Sequence, residues 1–143
     1  MLSFPPERII CLSNETVETI YLLGEEKRIV GVTGYAARPS RVRKEKPRVS
    51  SFVSAKTKEI LDLRPDLVFT FSDVQADLSR ELILAGLNVF CFNQRSVVGI
   101  LSMVNIIGAI LNCKSRAEDI TCQLKTKIKE YRLKKHNVRP RVY

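Results

Sequence analysis

The run Lys58-Glu-Ile-Leu-Asp-Leu-Arg-Pro65, Asp66-Leu-Val-Phe-Thr-Phe71, Ser72-Asp-Val-Gln-Ala-Asp-Leu-Ser-Arg-Glu-Leu-Ile-Leu-Ala-Gly86, Leu87-Asn-Val-Phe-Cys-Phe92 reads as helix, strand, helix, strand. Pro65 stops the first helix, because proline disfavours helical backbone in the residue before it. The apolar run that follows lacks polar alternation, the pattern of a strand covered on both faces. Gly86 stands where a helix ends, since glycine takes the left-handed conformation without strain. Two strands joined by a helix lie parallel. The loop at 72–75 therefore falls at the carboxyl edge of a sheet, where open α/β folds place their ligands.

Working outward, the same reading gives a strand at 8–12, a helix at 14–23, a strand at 28–33 and a basic loop to 48. It continues with a helix at 56–63, a strand at 67–71, a helix at 74–85, a strand at 88–92 and two more helices. Such alternation calls for an α/β fold: a Rossmann-like parallel sheet with helices on both faces, followed by a long carboxyl-terminal helix. Residues 96–113 carry no charge, yet Val97, Leu101, Val104, Ile107 and Leu111 recur at helical spacing. Gly99, Ser102, Asn105, Ala109 and Asn112 make a small or weakly polar stripe beside them, so the segment reads as a helix packed on the sheet and not as a membrane span. Gly108, inside the apolar face, would let a neighbouring element approach closely. The last helix, from 115 to about 135, gathers Ala117, Ile120, Leu124, Ile128 and Tyr131 on one stripe and reaches roughly 30 Å.

With 45% hydrophobic and 27% charged residues, the 143-residue chain has the composition of a soluble globular domain. Its 24 Lys and Arg against 15 Asp and Glu leave a net charge of +9, concentrated at 38–48 and 125–141. That excess is either a solvated surface or a nucleic-acid or anionic-surface binding module built from the basic loop and tail. No aromatic residue interleaves the cations of 38–48 and no helix-turn-helix or zinc pattern is present, which counts against the second reading. Chemistry is poorly supplied. His136, the single histidine, lies in the basic tail, and no Gly-rich phosphate loop follows a strand. Neither an enzyme, nor a metal site, nor a covalently bound cofactor is expected. Cys11, Cys91, Cys113 and Cys122 lack Cys-x-x-Cys spacing and are expected as buried or half-buried thiols. The start, Met1-Leu-Ser-Phe-Pro-Pro-Glu-Arg8, shows neither the positive leader nor the apolar run of a secretory signal. The expected location is cytoplasmic as encoded, and periplasmic if a leader was lost or removed.

The deciding stretch also carries a family likeness. Arg64-Pro-Asp-Leu-Val-Phe69, preceded by Lys46-Pro-Arg-Val-Ser-Ser-Phe52 and followed by Leu84-Ala-Gly-Leu-Asn-Val-Phe90, resembles the amino-terminal lobe of the iron-siderophore and cobalamin periplasmic binding proteins of ABC transporters. Glu7-Arg-Ile-Ile-Cys-Leu-Ser13, Glu18-Thr-Ile-Tyr-Leu-Leu-Gly24 and Arg28-Ile-Val-Gly-Val-Thr-Gly-Tyr35 fall in that family's order and spacing, and the likeness runs from about residue 7 to 143. The resemblance implies an amino-terminal lobe at 1–113, a long inter-lobe helix at 114–137 and the start of a missing second lobe at 138–143. It implies the substrate-binding lobe of a cobalamin or ferric-siderophore uptake receptor, truncated at the lobe boundary.

The candidate ligand residues are the loops that leave the carboxyl ends of the strands: Ser13 and Asn14, Tyr35 and Arg38, Phe52, then Phe71, Ser72 and Asp73, and finally Asn93, Gln94 and Arg95. By resemblance, Tyr35, Phe52 and Phe71 fall where cobalamin-binding members carry aromatic residues against the corrin ring. Aromatic faces with a few polar hooks suit a broad, flat, amphipathic small molecule. Members of that family dock on an ABC permease through a carboxylate on the helix that opens at 56. Lys58 stands at that position here, with Glu59 about 100° further around the helix, which argues against docking in the family manner. A two-lobed receptor of nanomolar affinity realises about 12 kcal/mol, so one lobe supplying half of it would bind at roughly 10 to 100 μM.

Overall fold

The structure, a computed structural model, describes residues 4–51 and 55–133. Five strands, β1 (Ile9–Cys11), β2 (Ile29–Thr33), β3 (Arg48–Ser50), β4 (Leu67–Phe71) and β5 (Val89–Phe92), pair in parallel in the order β3-β2-β1-β4-β5. The helices are α1 (Asn14–Leu22), α2 (Val42–Glu45), α3 (Thr57–Asp62), α4 (Ala76–Leu84), α5 (Val97–Ile110) and α6 (Lys114–Leu133).

Alternation within the strands builds two cores. Ile9 and Cys11 of β1 and Phe69 of β4 point to one face, where they meet Val17 and Ile20 of α1, Met103 and Ile107 of α5 and Ala117 of α6. Ile10, Leu12 and Val68 point to the other, against Ile60 of α3 and Leu78 and Leu82 of α4. Every residue of β1 is fully buried, as its place in the middle of a sheet covered on both sides requires.

The turn chemistry follows the sequence. Gly86 has φ +85 beyond α4, and Arg64 takes φ +46 beyond α3, directly before Pro65. The Arg-Pro-Asp motif is a brace at the amino edge of the sheet. Asp66 Oδ2 accepts the backbone N–H of Glu7 at 2.8 Å and of Arg8 at 2.9 Å, while the Arg8 guanidinium donates to the carbonyl of Leu63 at 2.7 Å. Gly108 brings α5 and α6 together: a Cβ placed there would lie 2.3 Å from the Ala117 Cβ.

Three expectations are corrected. The basic loop to residue 48 contains α2 and β3. Each is anchored by a lone valine among cations, Val42 at 0% and Val49 at 2% exposure, so neither offers a period of 2 or 3.6 to read. Cys91 and Cys122 are exposed, whereas Cys11 is buried and Cys113 half-buried. Cys91 sits on the edge strand, and Cys122 on the outward side of α6. Val97 and Tyr131, placed on apolar stripes, are 49% and 67% exposed. Val97 opens α5, and Tyr131 lies where the 20 residues of α6 run past the 14 of α5.

Candidate functional site

All five strands run the same way, so their carboxyl ends share one rim. Connections leave β1 and β4 toward opposite ends of the sheet, which makes the gap between those two neighbours the topological switch point. Gln75 floors that gap. Its side chain is fully buried; Nε2 donates to the Leu12 carbonyl at 2.9 Å and Oε1 accepts the Phe71 N–H at 2.9 Å, tying the last turns of β1 and β4 together. The sequence gives little signal for this role, because a glutamine one turn past an apolar strand looks like ordinary helix surface. Gly34 was missed for a similar reason. Its N–H donates to the Ser50 carbonyl at 2.7 Å, and a Cβ there would stand 2.8 Å from the same oxygen, so only glycine lets the β2 and β3 loops close beneath Tyr35.

The rim residues then separate by what their side chains do. Ser13 is buried and caps α1, accepting the Thr16 N–H at 3.4 Å. Ser72, buried with φ +54, accepts from the N–H of Val74. Both hydroxyls therefore shape the loops. Asn14 and Arg38 are exposed, with the Arg38 guanidinium 4.0 Å from Glu18. Tyr35 is 58% exposed at the end of β2, beside a hollow of about 490 Å³ lined by Gly34, Arg48, Ser50, Ser51 and Lys56. Phe71 is half-buried and packs against the α5-side core. Phe52 lies outside the described residues, as do His136 and the segment 138–143.

Across the β4 and β5 loops, Arg95 Nη2 donates to Asp73 Oδ1 at 2.5 Å and its Nε to Asn93 Oδ1 at 3.1 Å. The Arg95 hydrogen bond holds the Asp73 carboxyl below its ordinary range. Gln94 turns inward, with its amide nitrogen 3.3 Å from the Met103 sulfur and its Oε1 buried without a partner. Thus Asp73, Asn93 and Arg95 form one polar clamp at the rim, and Gln94 stands apart from it.

Three of the six cations of 38–48 are engaged in the fold. Arg41 pairs with Glu26 at 3.0 Å and Glu45 at 3.2 Å and lies 4.7 Å above the Tyr21 ring. Arg43 donates to the Ala36 carbonyl and Lys46 to that of Ile29. Burial draws the Lys46 ammonium below its usual value. On α3, Lys58 is exposed and Glu59 is paired with Lys56 at 2.9 Å. Among the described residues no cluster of three His, Cys, Asp or Glu side chains is arranged to hold a metal, and no described helix is long and apolar enough to cross a membrane.

A sequence model of the family described as periplasmic binding protein matches residues 9–137. This chain belongs to that family. A curated relative, an uncharacterized ABC transporter substrate-binding lipoprotein of Bacillus subtilis strain 168, is 26% identical over 129 residues, covering 87% of this chain and 40% of the relative. Among solved structures, a periplasmic heme-binding protein of Pseudomonas aeruginosa is 22% identical with a TM-score of 0.79, covering 87% of this chain and 45% of that one. The periplasmic vitamin B12 binding protein of Vibrio cholerae is 21% identical with a TM-score of 0.75, covering 90% and 50%. A possible iron-binding periplasmic solute-binding protein of Staphylococcus epidermidis ATCC 12228 is 21% identical with a TM-score of 0.80, covering 93% and 54%. These structures share the fold of this periplasmic binding protein, which spans about half of their length.

Proposed function

We propose that this chain forms one ligand-contacting lobe of an ABC-type uptake receptor for cobalamin, heme or a ferric siderophore. The observation that carries the reading is the exposed Tyr35 ring beside an open hollow at the carboxyl rim, with the Asp73–Arg95 clamp on the same rim. A broad, flat ligand would lay one face on the aromatic ring and present carboxylates or amides to the clamp. The names of the relatives supply the ligand class, and their description as periplasmic proteins or lipoproteins supports a role outside the cytoplasmic membrane. Binding, not catalysis, is the function. Docking on a permease would use a surface other than the start of α3, since Lys58 replaces the carboxylate and Glu59 is already paired.

Absorbance titration of the chain with hemin, cyanocobalamin and a ferric hydroxamate tests this. One of the three should bind at about 10 to 100 μM, the value expected of half a nanomolar site. Tyr35→Ala should weaken that binding by roughly three- to tenfold, the worth of one aromatic face. Nanomolar affinity would refute the half-site argument, and no binding of any of the three at millimolar concentration would refute the ligand class.

A further inference from the structure

The side of α6 that meets α5 changes character along its length. In the first half it carries Ala117 and Thr121, both buried, and Ala117 closes on Gly108 of α5. In the second half Lys125, Ile128, Lys129 and Arg132 stand at positions i, i+3, i+4 and i+7, which puts all four on one face. Here the two helices leave a hollow of about 310 Å³ between them. These four residues wall it on the α6 side, and Val97, Val98 and Leu101 form the apolar wall on the α5 side.

Neither wall is completed by the fold. Val97 and Val98 are 49% and 73% exposed. The helix α5 has no charged residue, and the ion pairs of α6, Lys114 with Glu118 and Arg116 with Glu25, lie at its other end. Among the described residues none of Lys125, Lys129 and Arg132 has an ion-pair partner. Cations on a packed helix ordinarily point outward, whereas these three look across at an apolar wall. A row of unpaired positive charge opposite exposed valines is complementary to a molecule with a hydrocarbon part and an anionic head.

Charge and size select the occupant. A second copy brings the same cation row and the same net +9, and is repelled. The chain's own following residues are excluded for the same reason, since 134–141 add Lys134, Lys135, Arg139 and Arg141 and no acid. The cation row covers about 10 Å of helix, and the hollow stands at the lower limit of small-molecule sites, whereas a protein partner takes about 800 Å² per side. We propose that the groove between α5 and α6 binds a single-chain anionic amphiphile of the fatty-carboxylate class. Its methylenes lie against Val97, Val98, Leu101 and Ile128, and its carboxylate sits among Lys125, Lys129 and Arg132. The stems of the three cations extend the apolar wall while their heads meet the carboxylate at the mouth. None of these residues belongs to the rim, so the site is separate from that of the uptake ligand.

An amide chemical-shift titration of the full chain with sodium decanoate, below its micellar range, tests the proposal. The expected result is saturable binding at roughly 0.1 to 1 mM, the strength that burial of about five to seven methylenes gives. The shifts should fall on 97–105 and 125–132, and affinity should drop as salt is raised. Decyltrimethylammonium, with the same tail and the opposite head, should bind about tenfold more weakly, and the double variant K125E/K129E should weaken decanoate binding by about tenfold. Val98→Asp should weaken it several-fold from the apolar side. All three positions are exposed, so the variants keep the fold. Leu22→Lys, at a 58% exposed position on α1, should leave binding unchanged. Absence of saturable binding, shifts centred elsewhere, equal binding of the cationic amphiphile, indifference to either groove variant or loss of binding in Leu22→Lys would overturn the proposal. Pelleting with phosphatidylglycerol vesicles without decanoate binding would also overturn it, assigning this face to a membrane surface.

Discussion

Gln75 shows how much of the site rests on one side chain. Its amide satisfies the Leu12 carbonyl and the Phe71 N–H in a fully buried position, so Gln75→Ala strands both groups and should cost about 2 to 3 kcal/mol in urea unfolding. Loosening the switch point should also weaken any ligand held by the rim. Gly108 is the other sensitive residue. Gly108→Ala would drive a methyl into Ala117, and overpacking of this kind should cost about 1 to 3 kcal/mol, read from the shift in the urea midpoint. The helical pattern around Gly108 exposed its role in advance, because a glycine inside an apolar helical face has few other uses. Nothing comparable announced Gln75, whose partners lie on two strands that sequence spacing does not bring together.

At the scale of elements, α2 is held to α1 by polar contacts that no periodicity reveals. The Tyr21 hydroxyl donates to Glu45 Oε2 at 2.7 Å. This bond lowers the Glu45 carboxyl, while burial, reinforced by that carboxylate, raises the Tyr21 phenol. Tyr21→Phe should lower stability by about 1 kcal/mol, measured by thermal unfolding. The same region sets the alkaline limit. Burial pushes the Cys11 thiol from 9.0 up to about 12, and Tyr21 also keeps its proton longer in the folded state. Above pH 9 the unfolded chain therefore binds fewer protons than the native one, and stability falls as pH rises. Urea midpoints should decline from pH 9 to 11, and Cys11→Ala should flatten that decline. On the acid side the sign reverses. Asp73 has a lowered carboxyl, so its contribution is present above its ordinary value of 3.8 and is lost as the pH falls below it.

For the whole molecule, the distribution of charge decides between the binding readings. Arg41, Arg43 and Lys46 are committed to the fold, and the cations outside 38–48 lie both on α6 and on elements away from it, such as Arg8, Arg28, Arg80 and Arg95. Phosphate binding through six or more contacts loses about 10³ in affinity between 50 and 200 mM salt and needs those contacts on one surface. Fluorescence anisotropy with a random DNA duplex should show weak retention at low salt and none near 150 mM. Micromolar binding at 150 mM that the triple variant R41A/R43A/K44A abolishes would favour the nucleic-acid reading over the receptor lobe.

Hydrophobic periodicity and turn residues, read from the sequence alone, were enough to establish the α/β class, four of the five strands and both long helices. Those signals are local, carried by apolar spacing, Pro65 and Gly86, and they survive without knowledge of neighbours. Only the tertiary structure decided the rest. The short β3 and α2 exist because Val42 and Val49 find burial against distant strands; the capping by Ser13 and Ser72 depends on their hydroxyls reaching the Thr16 and Val74 N–H groups. Gln75 becomes the floor of the rim because β1 and β4, more than fifty residues apart in the chain, are neighbours in the sheet. Burial and hydrogen-bond partnership are properties of the assembled layers, and a linear pattern does not contain them.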